Sequence, residues 1–576
     1  MPCVHFPRRP DTLTADFAAA EYEKLGQRSV RAEASPSPEG WLSLFRDWNA
    51  LGSYVRSEES RLHFQHARDM RDQGSAEAER RFREEVVPRA EEGESRLIAA
   101  LLGSRHRAAV AAEFGEQLLR VLAVNQTPFA PINAQLRVEV GKLSDEYGQR
   151  LASAEVSVGG RAMTLARARG LLSSASADAR REAFEAYYGW FRDQREELAG
   201  IFSEMVRRRH AMGKRLGHET FVPLGYAEMQ RVDYGSEHAA QFRDAVRTHV
   251  SPLFRELASA QATALGTSCL RPWDGAYHPA FSLPQGVAEP IGEQLDKVER
   301  VFAKLSPKLC GYFRRMREQE AIDLENRPGK AMGGSCTALH DANEVRIFCN
   351  SVGNEDDVRV LTHEMGHAFQ AWESQWIDAV ALRWPTADAA EVHSMGMEFL
   401  CLPHLGEFFS ADELERFTLG RWKRGIELLC YTCVVDHFQH WVYEHPDASA
   451  EERDRRWATL YDDYLPGIDW SGEAESYRSC RWYAQRHIFL FPFYYIDYAI
   501  AESGAMQLAR LAHADSERAL AKYLELCRLG GTVSVLELFA AAGLRSPFDA
   551  EAMSELADHV RGVLGVLLKP GRGLLI

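Results

Sequence analysis

A chain of 576 residues, 45% of them apolar and 26% charged, has the composition of an ordinary globular protein and is long enough for two or more lobes. The net charge of −15 argues against a nucleic-acid-binding protein and against a polybasic membrane anchor, because both depend on a basic surface. No apolar run is long enough to span a membrane, and the start MPCVHFPRRPDTL lacks the apolar segment of a secretory signal. The ten cysteines show no framework spacing, so we expect free thiols and a cytoplasmic protein.

Most of the chain carries the periodicity of α-helices, and we predict a mainly α-helical fold. Residues 1–200 are predicted to form a helical N-terminal lobe, and residues 201–576 the second region. Two long helices are predicted over 176–217, and the Gly/Pro-rich stretch 266–290 is predicted to be an irregular connection. Helices should resume near residue 291 and run to about 325.

A single strand stands out in this helical chain. The stretch EVRIFCN, residues 344–350, alternates in polarity and is rich in β-formers, which predicts a small β-sheet. An extended peptide could pair with a free edge of this strand, so that main-chain hydrogen bonds would hold it without regard to its sequence.

The next segment, SVGNEDDVRVLTHEMGHAFQAW, predicts a helix with an unusual polar face. Asn354 is the expected N-cap, with Asp357 in the first turn, where the helix dipole favours anions. His363 and His367 lie one turn apart on one face, with Glu364 beside them. This HExxH pattern predicts a zinc site, with Glu364 placed where it could hold a water molecule bound to the ion. Gly366 costs about 1 kcal/mol in a helix interior, which indicates that a backbone or a substrate passes close by.

A third ligand should lie downstream. Glu373 is turned away from the histidines, by about 240° from His367 at 100° per residue. Asp388 is a suitable N-cap for a second helix, and Glu391 is then either its capping-box partner or the third zinc ligand. Glu398 lies on the same face of that helix, two turns further on. The residues considered were Glu373, Asp378, Asp388, Glu391, His393 and Glu398.

A second cluster imitates a metal motif. It consists of Cys430, Cys433, His437 and His440 in LLCYTCVVDHFQHWV. On one straight helix these residues span roughly 15 Å, too far to surround one ion. We therefore interpret the stretch as a core helix.

Several separated stretches together resemble the thimet oligopeptidase and oligoendopeptidase F family of zinc peptidases, in particular its Pz-peptidase-like branch. They are HEMGHAFQ and EVHSMGMEF, GYAEMQRVDYG at 225–235, LRPWD at 270–274, HIFLFPFYYIDYAIAESGAMQL at 487–508 and GGTVSVLELFAAAGLRSPF at 530–548. The similarity covers roughly residues 200–576, and it implies that residues 201–576 are the catalytic region of a zinc peptidase. It implies two helical lobes flanking a deep substrate channel, a small β-sheet beside the zinc helix, and oligopeptide substrates.

The resemblance also implies roles by position. The implied ligands of one Zn²⁺ ion are His363, His367 and Glu391, and Glu364 is the implied general base. His487, Tyr495 and Tyr498 are the implied donors to the oxyanion that forms during peptide hydrolysis, with Tyr494 as a second possibility. Ser335 and the pair Glu344–Val345 depart from the family pattern at the presumed substrate edge, which affects subsite preference and leaves the chemistry unchanged.

The predicted function is thus a zinc-dependent endopeptidase acting on short, unfolded oligopeptides. One rival is a dipeptidyl carboxypeptidase, which would need a cationic group for a free C-terminus that the sequence does not single out. The other is a catalytically silent peptide-binding protein, against which the intact Glu364 argues. The sequence does not indicate an oligomeric state.

Overall fold

A computed structural model describes residues 4–10, 12–127, 130–281 and 290–568. These residues are mainly helical with two small sheets, which confirms the predicted fold class. Residues 282–289 of the connection predicted at 266–290 lie outside the described residues. Among the helices that are described, none combines the length and the apolar character needed to cross a membrane.

The α-helices of the described residues, in chain order, are α1 Ala15–Ala34, α2 Glu39–Arg68, α3 Gln73–Arg81, α4 Val87–Gly103, α5 Arg107–Phe114, α6 Glu116–Gln126, α7 Ala134–Ala152, α8 Leu165–Gly170, α9 Ala177–Asp193, α10 Arg195–Arg215, α11 Val222–Glu228, α12 Ser236–Ala245, α13 Ser251–Ala264, α14 Ile291–Leu305, α15 Pro307–Glu318, α16 Glu355–Glu373, α17 Ala387–Cys401, α18 Ala411–Glu444, α19 Ala450–Tyr464, α20 Glu475–Arg478, α21 Arg486–Leu490, α22 Ile496–Ala514, α23 Ser516–Leu529, α24 Val535–Ala541, α25 Ala550–Val563 and α26 Gly565–Leu568. The strands are β1 Glu155–Val158, β2 Arg161–Thr164, β3 Ile322–Glu325, β4 Ser335–Leu339 and β5 Glu344–Ser351.

The chain folds as two compact units, each built from three segments. Unit 1 comprises Met1–Gln126, Gln285–Phe409 and Leu511–Leu544, and unit 2 comprises Thr127–Pro284, Ser410–Arg510 and Arg545–Ile576. The boundary that the sequence predicts at residue 200 divides the chain differently from these two units. That boundary stays a prediction. The two long helices predicted over 176–217 are α9 and α10, which confirms that prediction.

Unit 1 holds the three-stranded sheet and the HExxH helix. Its strand order is β3–β5–β4, with β3 parallel and β4 antiparallel to β5. The prediction of a free edge on β5 is therefore wrong, because both edges of this strand are paired. The helical prediction to residue 325 is also wrong at its end, since α15 stops at Glu318 and β3 follows. β4 has one strand partner among the described residues, so its outer edge is not paired with a strand.

Unit 2 contains α18, a helix of 34 residues, and the antiparallel pair β1–β2. The interior of this unit is rich in aromatic side chains, among which Trp422, Trp457 and Trp482 are fully buried. The interpretation of residues 430–440 as core helix is confirmed. Cys430 and Cys433 are buried within α18, and His440 Nε2 lies 3.0 Å from the Tyr226 hydroxyl.

Candidate metal centre

The N-terminus of α16 is fixed by the acidic residues that the sequence places there. The Asp357 carboxylate accepts hydrogen bonds from the backbone N–H groups of Val352 (3.0 Å), Gly353 (2.6 Å) and Asn354 (3.2 Å). It also accepts one from the Ser351 hydroxyl at 2.7 Å. These bonds fix the backbone that leads into the helix, and the bond from Asn354 N–H belongs to a capping box that confirms Asn354 as the N-cap.

The start of α17 differs from the prediction. Its N-cap is Thr386, and the Asp388 carboxylate accepts a hydrogen bond from the Thr386 hydroxyl at 2.5 Å. The interpretation of Asp388 as N-cap and Glu391 as its capping-box partner is therefore wrong. The Glu391 carboxylate is engaged elsewhere, because it accepts from the Ser394 hydroxyl at 2.8 Å and lies beside the histidines of α16.

Gly366 allows α16 and α17 to cross in close contact. A Cβ atom at this position would lie 2.5 Å from the His393 carbonyl oxygen and 2.6 Å from Ser394 Cα. The buried Tyr523 hydroxyl lies within hydrogen-bonding distance of both helices, 3.3 Å from the Gly366 carbonyl oxygen and 3.1 Å from that of His393. The prediction of a close approach at Gly366 is confirmed, and the approaching group is the backbone of α17.

This crossing brings three potential ligand atoms together. His363 Nε2 lies 3.3 Å from Glu391 Oε2, and His367 Nε2 lies 3.7 Å from the same oxygen. Ligands bound to zinc at about 2.1 Å in tetrahedral geometry are separated by about 3.4 Å. Among the residues that the structure describes, these three form the one group of His, Cys, Asp or Glu side chains with mutual ligand distances within 4.8 Å. The donor set and its spacing fit Zn²⁺.

Glu398 lies on the other side of the His363 ring. Its Oε1 is 2.7 Å from His363 Nδ1, so Nδ1–H donates to the carboxylate and Nε2 remains on the side of Glu391. A carboxylate that accepts from a ligand histidine fixes the ring orientation and raises the basicity of the ring. The geometry favours Glu391 over Glu398 as the third ligand, and the ligand assignment itself stays a prediction.

The other residues considered as ligands have different partners. Glu373 accepts hydrogen bonds from Lys308 Nζ at 2.7 Å and from the Tyr312 hydroxyl at 2.9 Å. His393 is fully buried near the Tyr523 ring, and burial lowers its pKa to about 4. These contacts are those of structural side chains.

The electrostatics of the site depend on burial and on the close carboxylates. Burial raises the pKa of Glu364 to about 7, and Glu391 and Glu398 add to the shift. Burial disfavours a charged His363 ring, yet hydrogen bonds to Glu391 and Glu398 raise its pKa to about 10. The proton on His363 stabilises the two carboxylates as a bound cation would. Burial lowers the pKa of His367 to about 4, which keeps that ring neutral, as metal ligation requires.

Glu364 faces the sheet side of α16. A Cβ atom on Gly334 would lie 3.0 Å from Glu364 Oε1 and 3.5 Å from Cys349 Sγ, so Gly334 lets the start of β4 pass directly over this carboxylate. The predicted general base thus lies next to β4, whose outer edge has no strand partner within the part of the chain that the structure describes.

The predicted oxyanion residues lie together in unit 2. The His487 ring centroid is 4.8 Å from that of Tyr495 and 6.2 Å from that of Tyr498. The Tyr494 ring is parallel to the His487 ring at 5.8 Å, so the structure leaves Tyr494 as a second possibility. Burial lowers the pKa of His487 to about 4, with Arg486 and Arg169 adding to the effect. The structure therefore groups these residues, and their role in the reaction stays a prediction.

The segment that connects His487 to the tyrosines is held by a residue that sequence reasoning did not single out. Arg231, buried in unit 2, donates to the Phe493 carbonyl oxygen at 2.5 Å and to Asp497 Oδ1 at 2.6 Å. Phe493 has a φ of 65°, a left-handed conformation that is costly for a bulky residue. Its ring packs over Gly225, where a Cβ atom would lie 2.5 Å from the ring. Gly225 and Arg231 belong to GYAEMQRVDYG, and the resemblance of that stretch to the family was the available signal.

The chain is similar to known proteins in both sequence and structure. The family model "Peptidase family M3" matches residues 301–558, and "Peptidase M3 N-terminal domain" matches residues 12–129. A structure of Pz peptidase A with an inhibitor is 30% identical, with a TM-score of 0.88, and the match covers 97% of this chain and 98% of that one.

The chain belongs to peptidase family M3. The predicted resemblance is thereby confirmed, and the family is one of metalloendopeptidases. An X-ray structure assigned to oligoendopeptidase F is 31% identical over 97% of this chain and 98% of that one, with a TM-score of 0.87. An oligoendopeptidase F homolog of Lactococcus lactis subsp. lactis is 25% identical over 346 residues, which are 57% of this M3 chain and 54% of that protein. The chain thus spans about half the length of the curated relatives it matches.

Proposed function

We propose that this M3 chain is a zinc-dependent endopeptidase that hydrolyses short, unfolded oligopeptides in the cytoplasm. The observation that carries the proposal is the convergence of two imidazole nitrogens and one carboxylate oxygen within 4.8 Å, with the buried Glu364 on the same helix. His363, His367 and Glu391 would hold one Zn²⁺ ion. Nine described cysteines are free, as a reducing compartment requires.

Zinc bound there supplies a Lewis acid that polarises the scissile carbonyl group and makes water more acidic. Glu364 is the general base that takes the proton of the attacking water and later gives it to the leaving amine. Glu398 holds the His363 ring with its Nε2 directed to the side of Glu391. In this proposal the two histidines and Glu391 bind the metal, Glu398 orients one of these ligands, and Glu364 transfers the proton.

His487, Tyr495 and Tyr498 are the proposed donors to the oxyanion. Donors aimed at the position where charge develops are worth about 3–4 kcal/mol each in the transition state. The proposed substrate contact is the outer edge of β4, where main-chain hydrogen bonds could hold an extended peptide beside Glu364. This contact replaces the edge of β5 that the sequence predicted.

A peptide length series tests the function. Peptides with free and with blocked termini are incubated with the purified chain, with and without a zinc chelator, and the products are identified by mass spectrometry. We expect internal cleavage of unfolded oligopeptides whose termini are blocked, no cleavage of folded proteins, and loss of activity with chelator that added Zn²⁺ restores. A strict requirement for a free C-terminal carboxylate would contradict the endopeptidase proposal and favour a dipeptidyl carboxypeptidase. Absence of any cleavage would favour a peptide-binding protein.

A further inference from the structure

The side chain of Gln485 lies between Tyr431 and His487. The Tyr431 hydroxyl is 3.0 Å from Gln485 Oε1, and Gln485 Nε2 is 2.8 Å from His487 Nδ1. All three residues belong to unit 2, so the contacts lie within one compact unit. The Tyr431 and Tyr495 rings are also in edge contact, with centroids 5.9 Å apart.

The phenol fixes the orientation of the amide. The Tyr431 side chain is half-buried, and among the described residues Gln485 Oε1 is the hydrogen-bond acceptor of its hydroxyl. An amide oxygen only accepts and an amide nitrogen only donates. With Oε1 facing Tyr431, the Nε2–H group must face His487. The opposite orientation would leave the phenol proton without its acceptor.

The amide then determines where His487 carries its proton. A ring nitrogen that accepts from an N–H group cannot itself be protonated, so Nδ1 is the unprotonated nitrogen. The ring is neutral near pH 7, because burial and the two nearby arginines lower its pKa to about 4. A neutral imidazole with a bare Nδ1 carries its single hydrogen on Nε2.

We infer that Gln485, oriented by Tyr431, is a positioning residue that selects the Nε2–H tautomer of His487 and so presents a neutral hydrogen-bond donor to the oxyanion. The inference rests on the proposed function, because an oxyanion forms only if the chain hydrolyses peptides. In the other tautomer, Nε2 would be an acceptor and would repel the developing negative charge.

The first test reads the tautomer directly. The intact zinc-loaded protein is labelled with nitrogen-15 histidine, and the signal of His487 is identified by its loss in His487→Gln. We expect Nδ1 of His487 to show the shift of an unprotonated nitrogen, and Nε2 that of an N–H group. In Gln485→Glu the carboxylate can only accept, so Nδ1 should gain a proton. Protonated Nδ1 in the wild-type protein would overturn the inference, whether or not the protein cleaves peptides.

The second test measures kinetics. Gln485→Met keeps the length of the side chain and removes the amide, so kcat should fall about tenfold with little change in KM. Gln485→Met should have little further effect in a His487→Gln background, because Gln485 acts through that ring. The matched control is Gln261→Met, since Gln261 is a buried glutamine of unit 2 whose amide donates to the carbonyl oxygens of Asp274 and Tyr277. Equal losses of kcat in the two methionine variants would overturn the inference, and inactivity of the wild-type protein would instead refute the proposed function.

Discussion

The predicted metal centre and the predicted oxyanion segment, residues 485–498, of this M3 chain differ in how the sequence encodes their geometry. His363, His367 and Glu391 lie within two consecutive helices, and helical spacing together with one close crossing at Gly366 brings them together. The segment from Gln485 to Tyr498 takes its shape from distant partners, since Arg231 contacts Phe493 and Asp497 across more than 260 residues of chain. The HExxH motif is therefore sufficient to predict His363 and His367, the family resemblance adds Glu391, and the second region requires the fold.

The largest expected effect is loss of the metal. Glu391→Ala removes one of the three proposed ligands, so bound zinc and peptide hydrolysis should both be lost nearly completely. Elemental analysis and a peptidase assay on the same sample measure this. The matched variant Glu398→Ala should keep most of its zinc at saturating metal, with affinity lower by about 10–100-fold, the usual cost of losing a residue that orients a ligand. Full zinc in Glu391→Ala together with loss in Glu398→Ala would show that the third ligand is Glu398.

The next effect tests the oxyanion segment. Tyr498→Phe deletes one hydroxyl and keeps the ring, so kcat should fall about 10²–10³-fold while KM changes little, because the interaction is made in the transition state. Tyr495→Phe is the companion variant, which shows whether Tyr495, with its ring centroid 4.8 Å from that of His487, shares the role or only packs. A rise in KM with unchanged kcat in Tyr498→Phe would make the hydroxyl a substrate contact, and no change in either constant would make the cluster core packing.

A smaller loss of kcat should follow when a residue that holds the oxyanion segment in place is changed and the segment itself is left intact. Arg231→Lys keeps a positive charge beside Asp497 but shortens the side chain, so that one ammonium group must replace the Nη2 nitrogen that contacts both Asp497 and the Phe493 carbonyl group. We expect kcat to fall roughly tenfold, less than in Tyr498→Phe, with bound zinc unchanged. Arg180→Lys is the control, because Arg180 pairs with Asp274 in the same unit and is equally buried. Equal losses of kcat in the two variants would show that Arg231 contributes to the stability of the unit and has no specific effect on the oxyanion segment.

The smallest effect concerns the helix crossing. Gly366→Ala would push apart α16 and α17 and should lower the free energy of unfolding by about 1–3 kcal/mol, together with zinc affinity. Gly311→Ala is the matched control, because Gly311 lies in α15 of the same unit with open space around its Cβ position. That substitution should be neutral or stabilise by up to about 1 kcal/mol. Denaturant unfolding and zinc titration measure both. If Gly366→Ala has the same free energy of unfolding as the wild-type protein, α16 and α17 can move apart without loss of stability.

The difference between geometry set by local spacing and geometry set by distant partners explains which sequence predictions the structure confirms. Helix periodicity, the N-cap at Asn354 and the close approach at Gly366 are local properties, and the structure confirms them. The free edge of β5 was wrong because pairing depends on β3 and β4, which the sequence pattern did not reveal. The capping role of Glu391 was wrong because α17 begins two residues earlier than predicted, with Thr386 as its N-cap, and Glu391 lies beside His363 instead.

The residues that sequence reasoning missed are those whose proposed role is to position other groups of the protein. Gln485, Tyr431 and Arg231 carry no motif chemistry of their own, and their importance lies in the atoms they contact. A polar side chain in a helical chain is usually exposed or a cap, so periodicity alone could not single them out. Their contacts became visible only when residues far apart in the chain were placed together.

The central claim is that zinc binding and proton transfer are separate tasks on α16, with Glu364 as base and not as ligand. The most direct measurement determines bound zinc and turnover of a terminally blocked oligopeptide for wild-type protein and for Glu364→Gln, side by side. The account predicts one zinc ion per chain in both proteins and a turnover in Glu364→Gln that is roughly 10²–10⁴-fold lower. Turnover near the wild-type value, or loss of zinc from Glu364→Gln, would contradict it.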